Sequence, residues 1–199
     1  MRKLKLYHVL DDYINYLRKF DRKVFLNKEE ERRKERKYLG TVLHIHNFKY
    51  FVPLSSPKES DYILIDGKKE IRKSIIPIMR IVVKDKSGND ELKGTLKFSN
   101  MIPVPDRALI KYDLKNEVDE DYKILLTKEI FFINSNSVSI MKNAQVIYTQ
   151  KTKKYTINYL KDTVEFPLLE EKCEEYENLK QSIEKSHQQI AAAKDTLES

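Results

Sequence analysis

One cysteine, no tryptophan and four glycines in 199 residues put several protein classes out of reach. Cys173 has no partner for an internal disulfide, so the chain is no cross-linked secreted framework, and a reducing cytoplasm is the expected compartment. A cysteine-rich zinc site is excluded on the same ground. The glycines form neither a Walker loop nor a dinucleotide loop, so no nucleotide cofactor is expected. No nucleophile elbow of a Ser-His-Asp hydrolase is present. No pair of carboxylates stands in an apolar frame that would raise one pKa for acid–base work. No uncharged apolar run approaches the ~18 residues of a membrane span. Met1–Leu10 carries Arg2, Lys3 and Lys5 without the apolar centre of a signal peptide. The chain reads as soluble, with no membrane partner.

What is present is charge, unevenly placed. The 38 Lys and Arg exceed the 31 Asp and Glu by 7, and the pI is near 9.2. Arg2–Lys58 and Lys142–Lys161 are basic, whereas Glu165–Glu184 holds seven glutamates against two lysines. A basic face attracts nucleic acid and speeds its association. The plainer alternative is an ordinary solvated, lysine-rich surface. The length fits one domain, residues 1–199, at ~100–200 residues per domain.

Periodicity then orders the elements. Lys3–Tyr7 predicts a short strand. Leu10–Phe20 repeats apolar residues at Leu10, Tyr13, Ile14, Leu17 and Phe20, the spacing of an amphipathic helix. Lys28–Lys37 has ten charged residues and no apolar anchor, and is expected as a loop. Tyr38–Ile45 and Lys49–Leu54 predict a β-hairpin turned at His46–Phe48. Asp66-Gly67 marks a tight turn between Asp61–Ile65 and Lys69–Ile71. Ile75–Val83 and Glu91–Phe98 follow as strands, and Met101–Pro105 as a Pro-punctuated connector. From about Asp119 the period turns helical, with a break at Asn134–Ser137, and Pro167 opens a long final helix over about 167–194. The class is α+β, a strongly bent antiparallel sheet or partial barrel with helices around it.

The stretch that carries chemistry is Tyr38–Lys58, YLGTVLHIHNFKYFVPLSSPK, entered from the basic run Arg32–Lys37. A buried strand ends there in Ser55-Ser56-Pro57-Lys58. Two hydroxyls, adjacent backbone amides and an ammonium, with Pro57 stiffening the exit, suit a phosphate. Taken alone such a turn is more often structural. His44-x-His46 has no third ligand at suitable spacing, so no metal is expected there, and His8 and His187 read as isolated. RNA brings its own nucleophile, the 2′-hydroxyl. Cations and hydroxyl donors suffice to align it and to stabilise the phosphorane, each donor being worth ~10²–10³ in rate.

Three segments together, YINYLRKFD at Tyr13–Asp21, the basic-x-aromatic-aliphatic-Gly run at Arg36–Gly40 and KYFVPLSSPK at Lys49–Lys58, resemble the ToxN/AbiQ family. These are endoribonuclease toxins of type III toxin–antitoxin systems, CptN- and TenpN-type members included. Leu96–Phe98 with Met101–Pro103, Tyr122-Lys123 and Leu168–Glu171 extend the likeness over nearly the whole chain. The resemblance implies a twisted, SH3-like antiparallel sheet of the MazF/Kid kind surrounded by helices. It implies metal-independent cleavage of adenine-rich single-stranded RNA, by 2′-hydroxyl attack to a cyclic phosphate. It further implies inhibition by a short-repeat pseudoknot RNA antitoxin, which the toxin processes and with which it closes a protein–RNA assembly, and a role in phage defence by abortive infection.

Carried onto this chain, Ser56 takes the active-site serine slot, Ser55 the Thr/Ser slot and Lys58 the lysine slot. Arg36 takes the basic position four residues before the glycine, where other members carry Lys; a guanidinium keeps its proton and offers charge rather than acid. Lys37 can substitute for it. Tyr38 and Phe48 are expected to stack bases, with Lys37 and Lys49 beside the RNA backbone. The alternatives are a non-catalytic basic RNA-binding module, and a protein-interaction domain that uses the acidic Glu165–Glu184 helix.

Overall fold

The computed structural model describes residues 3–28 and 34–197; of the charged loop expected at Lys28–Lys37, residues 29–33 lie outside the described residues. β1 (Lys5–Val9) leads into α1 (Asp11–Arg18), which buries Tyr13, Ile14 and Leu17 on one face and carries Asp11 and Asp12 in its first turn, beside the exposed amides. β2 (Tyr38–Ile45) and β3 (Phe48–Ser55) form the expected hairpin, with a register shift between Gly40 and Leu43. The Phe51 ring lies so close on Gly40 that a Cβ there would sit 2.0 Å from it. Only glycine lets the β3 aromatic cover the β2 backbone.

β4 (Tyr62–Ile65) and β5 (Lys68–Ile71) make a separate hairpin whose turn residues, Asp66 and Gly67, both have positive φ. β6 (Ile78–Lys84), β7 (Asp90–Lys97), β8 (Ile102–Pro103) and β9 (Leu109–Lys111) complete a seven-stranded antiparallel sheet, ordered β6-β7-β3-β2-β1-β9 with β8 beside β3. The Met101–Pro105 connector is therefore partly a strand, pairing Ile102 with Phe51 and Pro103 with Tyr50. Proline is tolerated there because β8 has a partner on one side only.

β3 is the strand to which the other elements refer. At Tyr50 and Phe51 it lies between β2 and β8; at Leu54 and Ser55 β7 takes the place of β8, pairing Leu54 with Leu96 and Ser55 with Thr95. Leu54 N–H donates to Lys37 O across to β2 at 2.9 Å. By strand alternation the nitrogen of Pro53 then faces the step between β8 and β7, where no ladder bond is needed. Ser55 is thus the last residue of a buried strand, at the seam of two sheet halves.

α2 (Glu120–Ser135) and α3 (Ser137–Thr152) are separated at Asn136, inside the expected break; α2 lies on β6 and β7, α3 on β2. α4 (Phe166–Leu197) buries Phe166, Leu169, Cys173 and Tyr176, and it contacts β8 and α1. Beyond Tyr176 its apolar residues Leu179 and Ile183 are exposed. The Asp21 carboxylate accepts from Glu165 N–H at 2.8 Å and Lys23 N–H at 2.9 Å, tying the exit of α1 to the start of α4. The class is α+β, an antiparallel sheet with a long C-terminal helix. Among the described residues no helix is long and apolar enough to cross a membrane.

Candidate active site

The end of β3 is held from behind by Arg36. Its guanidinium is 2% exposed, donates from Nη1 to Leu54 O at 3.0 Å and Ser55 Oγ at 2.8 Å, and from Nε to Leu26 O at 3.0 Å. It also lies 4.5 Å from the Phe25 ring centroid. The turn beyond is fixed by Asp61, whose Oδ2 accepts from Lys58 N–H at 3.0 Å while Asp61 N–H donates to Lys58 O at 2.9 Å. Asp61 Oδ1 meets Arg80 Nη2 at 3.0 Å in a fully buried ion pair. Burial pushes the Lys97 ammonium below its usual range; Asp61 pulls it back up, and Arg80, Lys58 and Arg36 push it further down. The seryl turn therefore sits in a field of clustered cations.

In front of this turn opens a cleft of about 690 Å³. Ser55, Ser56 and Lys58 line it, together with Lys34 and Lys37 from the chain before β2, Lys93 of β7, and Tyr122 and Glu129 of α2. The start of α2 is fixed at its rim. The Asp119 carboxylate accepts from Tyr122 N–H at 3.0 Å and meets Lys34 Nζ at 3.1 Å. The amide bond first, then Lys34, hold Asp119 below the usual carboxylate range. Two ammonium groups lie near the Tyr122 ring, Lys34 at 5.1 Å and Lys37 at 5.7 Å from its centroid, and Lys37 lies 4.8 Å from the Tyr112 ring. Such cation–π contacts help hold the two lysines at the cleft.

The sequence-predicted residues divide on this geometry. Ser55, Ser56, Lys58 and Lys37 share the cleft. Arg36, expected to grip the phosphate, is buried behind Ser55, so it shapes the strand end rather than facing the cleft. Tyr38 is a correction: at 1% exposure its ring is core and has no face for a base. Phe48 and Lys49 lie at the opposite end of β3, in a separate groove of about 620 Å³, where Lys49 is paired with Asp106 at 2.6 Å. Neither reaches the seryl turn. His44 and His46 are exposed, and among the described residues no three His, Cys, Asp or Glu side chains gather as metal ligands. His8 is not isolated, for its Nδ1 lies 3.1 Å from Glu35, and burial, then Lys37, push its pKa below the usual value.

Sequence reasoning missed two groups. Tyr122 is the aromatic that lines the cleft, in place of Tyr38 and Phe48. Glu129 is a carboxyl 5% exposed on α2, its pKa pushed up to about 8 by burial and drawn back only in part by Lys93. The expectation from sequence concerns a pair of carboxylates in an apolar frame; Glu129 is raised by burial, with no second carboxylate acting on it. The signal was legible: Glu129 falls three residues after Leu126 and four before Ile133, on the buried stripe of α2.

Against known proteins, the family described as "Toxin ToxN, type III toxin-antitoxin system" matches residues 5–174. The chain belongs to this family. Among curated ToxN-family relatives, endoribonuclease AbiQ of Lactococcus lactis subsp. lactis is 34% identical over 175 residues, covering 87% of this chain and 89% of that protein. Endoribonuclease ToxN of Bacillus thuringiensis subsp. kurstaki is 29% identical over 188 residues, covering 91% and 88%. Two solved structures share the fold. One is AbiQ, a lactococcal anti-phage endoribonuclease of a type III system, with TM-score 0.72 and 30% identity over 89% of this chain and 99% of that one. The other is a type III toxin selectively inhibited by a non-coding RNA pseudoknot, with TM-score 0.69 and 28% identity over 88% and 99%.

Proposed function

We propose that this chain is an endoribonuclease toxin, a single domain acting in the cytoplasm on single-stranded, adenine-rich RNA, its sheet built on the SH3-like plan. The observation that carries the reading is the cleft in which a paired-seryl strand end meets Lys37 and Lys58, in a chain whose relatives are named endoribonucleases. In this reading the 2′-hydroxyl attacks its own phosphodiester and leaves a 2′,3′-cyclic phosphate. Ser56, exposed in the cleft, donates to a non-bridging oxygen, and Lys58 and Lys37 offset the added negative charge. Ser55, its hydroxyl engaged by Arg36, fixes the strand end from which Ser56 projects. Tyr122 offers a face for a base, a contact worth ~1–3 kcal/mol and tolerant of sequence. We read the reaction as metal-independent because Lys34, Lys37, Lys58 and Lys93 line the same cleft as the two serines and can offset the added charge. By the same reading a pseudoknot RNA antitoxin fills this cleft, is processed in it and closes a protein–RNA assembly.

The test is incubation of the purified protein and Ser56→Ala with A-rich RNA in EDTA. Wild type should give products ending in cyclic phosphate; the variant should cut ~10²–10³ more slowly with an unchanged thermal melt, because Ser56 is exposed. A fully active Ser56→Ala removes the site assignment. A gel shift without products favours a non-catalytic RNA-binding module.

A further inference from the structure

We propose that Glu129 is the proton donor of the cleft, delivering its carboxyl proton to the departing 5′-oxygen. The inference rests on the RNA-cleaving reading above and deepens it.

The seat of this carboxyl is built into the sheet. β7 has a glycine, Gly94, where α2 crosses it, and a Cβ at that position would lie 2.4 Å from Glu129 Oε1 and 3.3 Å from Ser55 O. The missing side chain lets the carboxyl rest on the β7 backbone beside the end of β3. Among the described residues no hydrogen-bond donor reaches it, and Lys93 is the one charged group that acts on its titration. The other charged groups of the cleft come from three directions: Lys34 and Lys37 before β2, Lys58 after β3, and Asp119 and Asp121 at the start of α2. A carboxyl buried to 5% exposure, with no bonded partner, still opens on the cleft that holds Ser55 and Ser56. A structural glutamate gains nothing from that position, since burial without a partner penalises its charged form. A proton donor gains from it directly, because burial keeps the acid protonated at neutral pH.

The 2′-oxygen forms a bond to phosphorus and its proton passes to solvent water. The phosphorus–5′-oxygen bond breaks, and the 5′-oxygen leaves with the Glu129 proton as a free hydroxyl. The carboxylate then regains a proton from water.

The experiment is single-turnover cleavage from pH 6 to 9 by wild type and Glu129→Gln, on RNA and on RNA carrying sulfur at the 5′-bridging position of the cut site. Sulfur leaves without protonation, so it dispenses with the donor. Wild type on ordinary RNA should lose rate above about pH 8, and Glu129→Gln should be slower by ~10²-fold or more with no such decline. On the sulfur substrate the variant should return to within a few-fold of wild type, and wild type itself should lose its alkaline decline. The last comparison needs no variant, so it stands even if Glu129→Gln folds poorly. Wild type that cuts RNA yet keeps the same alkaline decline on the sulfur substrate, or a variant that sulfur does not rescue, overturns the assignment and leaves the nuclease reading intact. Wild type that cuts no RNA overturns both.

Discussion

Glu129 makes a prediction about folding that involves no RNA at all. In the unfolded chain its carboxyl releases a proton near the ordinary glutamate value of 4.5; in the folded protein it holds that proton to about pH 8. Between those values the folded state carries one proton more than the unfolded state, so stability falls as pH rises. At about 1.4 kcal/mol per unit, a shift of three and a half units from 4.5 to 8 amounts to about 5 kcal/mol. The group is 5% exposed, so solvent screening removes little of this. Glu129→Gln keeps the shape and has no proton to release. Urea unfolding of both proteins in steps from pH 4.5 to 8.5 should show the variant gaining on wild type by about 1.4 kcal/mol per unit, levelling off above pH 8. His8 works the other way, because burial first, and Lys37 next, hold its folded pKa below 6.5, so its contribution is lost as pH falls. That contribution is common to both proteins and cancels in the difference. A pH-independent difference between them would refute the reasoning, since it would mean that the carboxyl ionises as freely in the fold as in the open chain.

Two further substitutions probe the supports of the cleft. Arg36→Lys keeps the charge but cannot span Leu26 O, Leu54 O and Ser55 Oγ at once. It should lower the unfolding free energy by about 2–3 kcal/mol and lower cleavage with it, and denaturant unfolding that matches wild type would show that the fork does not hold the strand end. Gly94→Ala places a methyl 2.4 Å from Glu129 Oε1. The carboxyl lies at the end of a flexible side chain and should swing aside, leaving the melt within about 1–2 kcal/mol of wild type while cleavage falls as in Glu129→Gln; unchanged cleavage would mean that the Gly94 seat is not needed.

Most of the fold was legible because its signals are local. The α1 stripe, the Asp66-Gly67 turn, the break at Asn136 and the proline at the start of α4 each follow from a few neighbouring residues. The role of Met101–Pro105 was not, because a two-residue strand gains its identity only from the β3 residues Tyr50 and Phe51 that it pairs with. The seryl turn was legible as chemistry, but which of the two adjacent cations faces the cleft was not, for a geometric reason. Arg36 and Lys37 are adjacent on a chain entering β2, where successive side chains point to opposite faces. One therefore meets the core side of β3 and the other the cleft, and no composition rule says which.

Tyr38 and Glu129 fail in opposite directions, and for one reason. An aromatic beside a basic run reads as a ligand platform, yet Tyr38 pairs with Pro53 in the middle of the sheet and is buried from both faces. A glutamate next to a lysine on a helix reads as solvated, yet its period puts it on the buried side of α2. In each, side-chain type argued for one environment and helical or strand phase for the other, and phase decided. The identity of a buried polar residue then says what the position does. A core position tolerates a glutamate only where something offsets its burial, and here the offset is structural as well as chemical: the glycine of β7 makes room, and the cleft gives the carboxyl an outlet. A helix phase that places a charged residue on the apolar stripe, opposite a strand glycine, is therefore the sequence pattern that marks such a group.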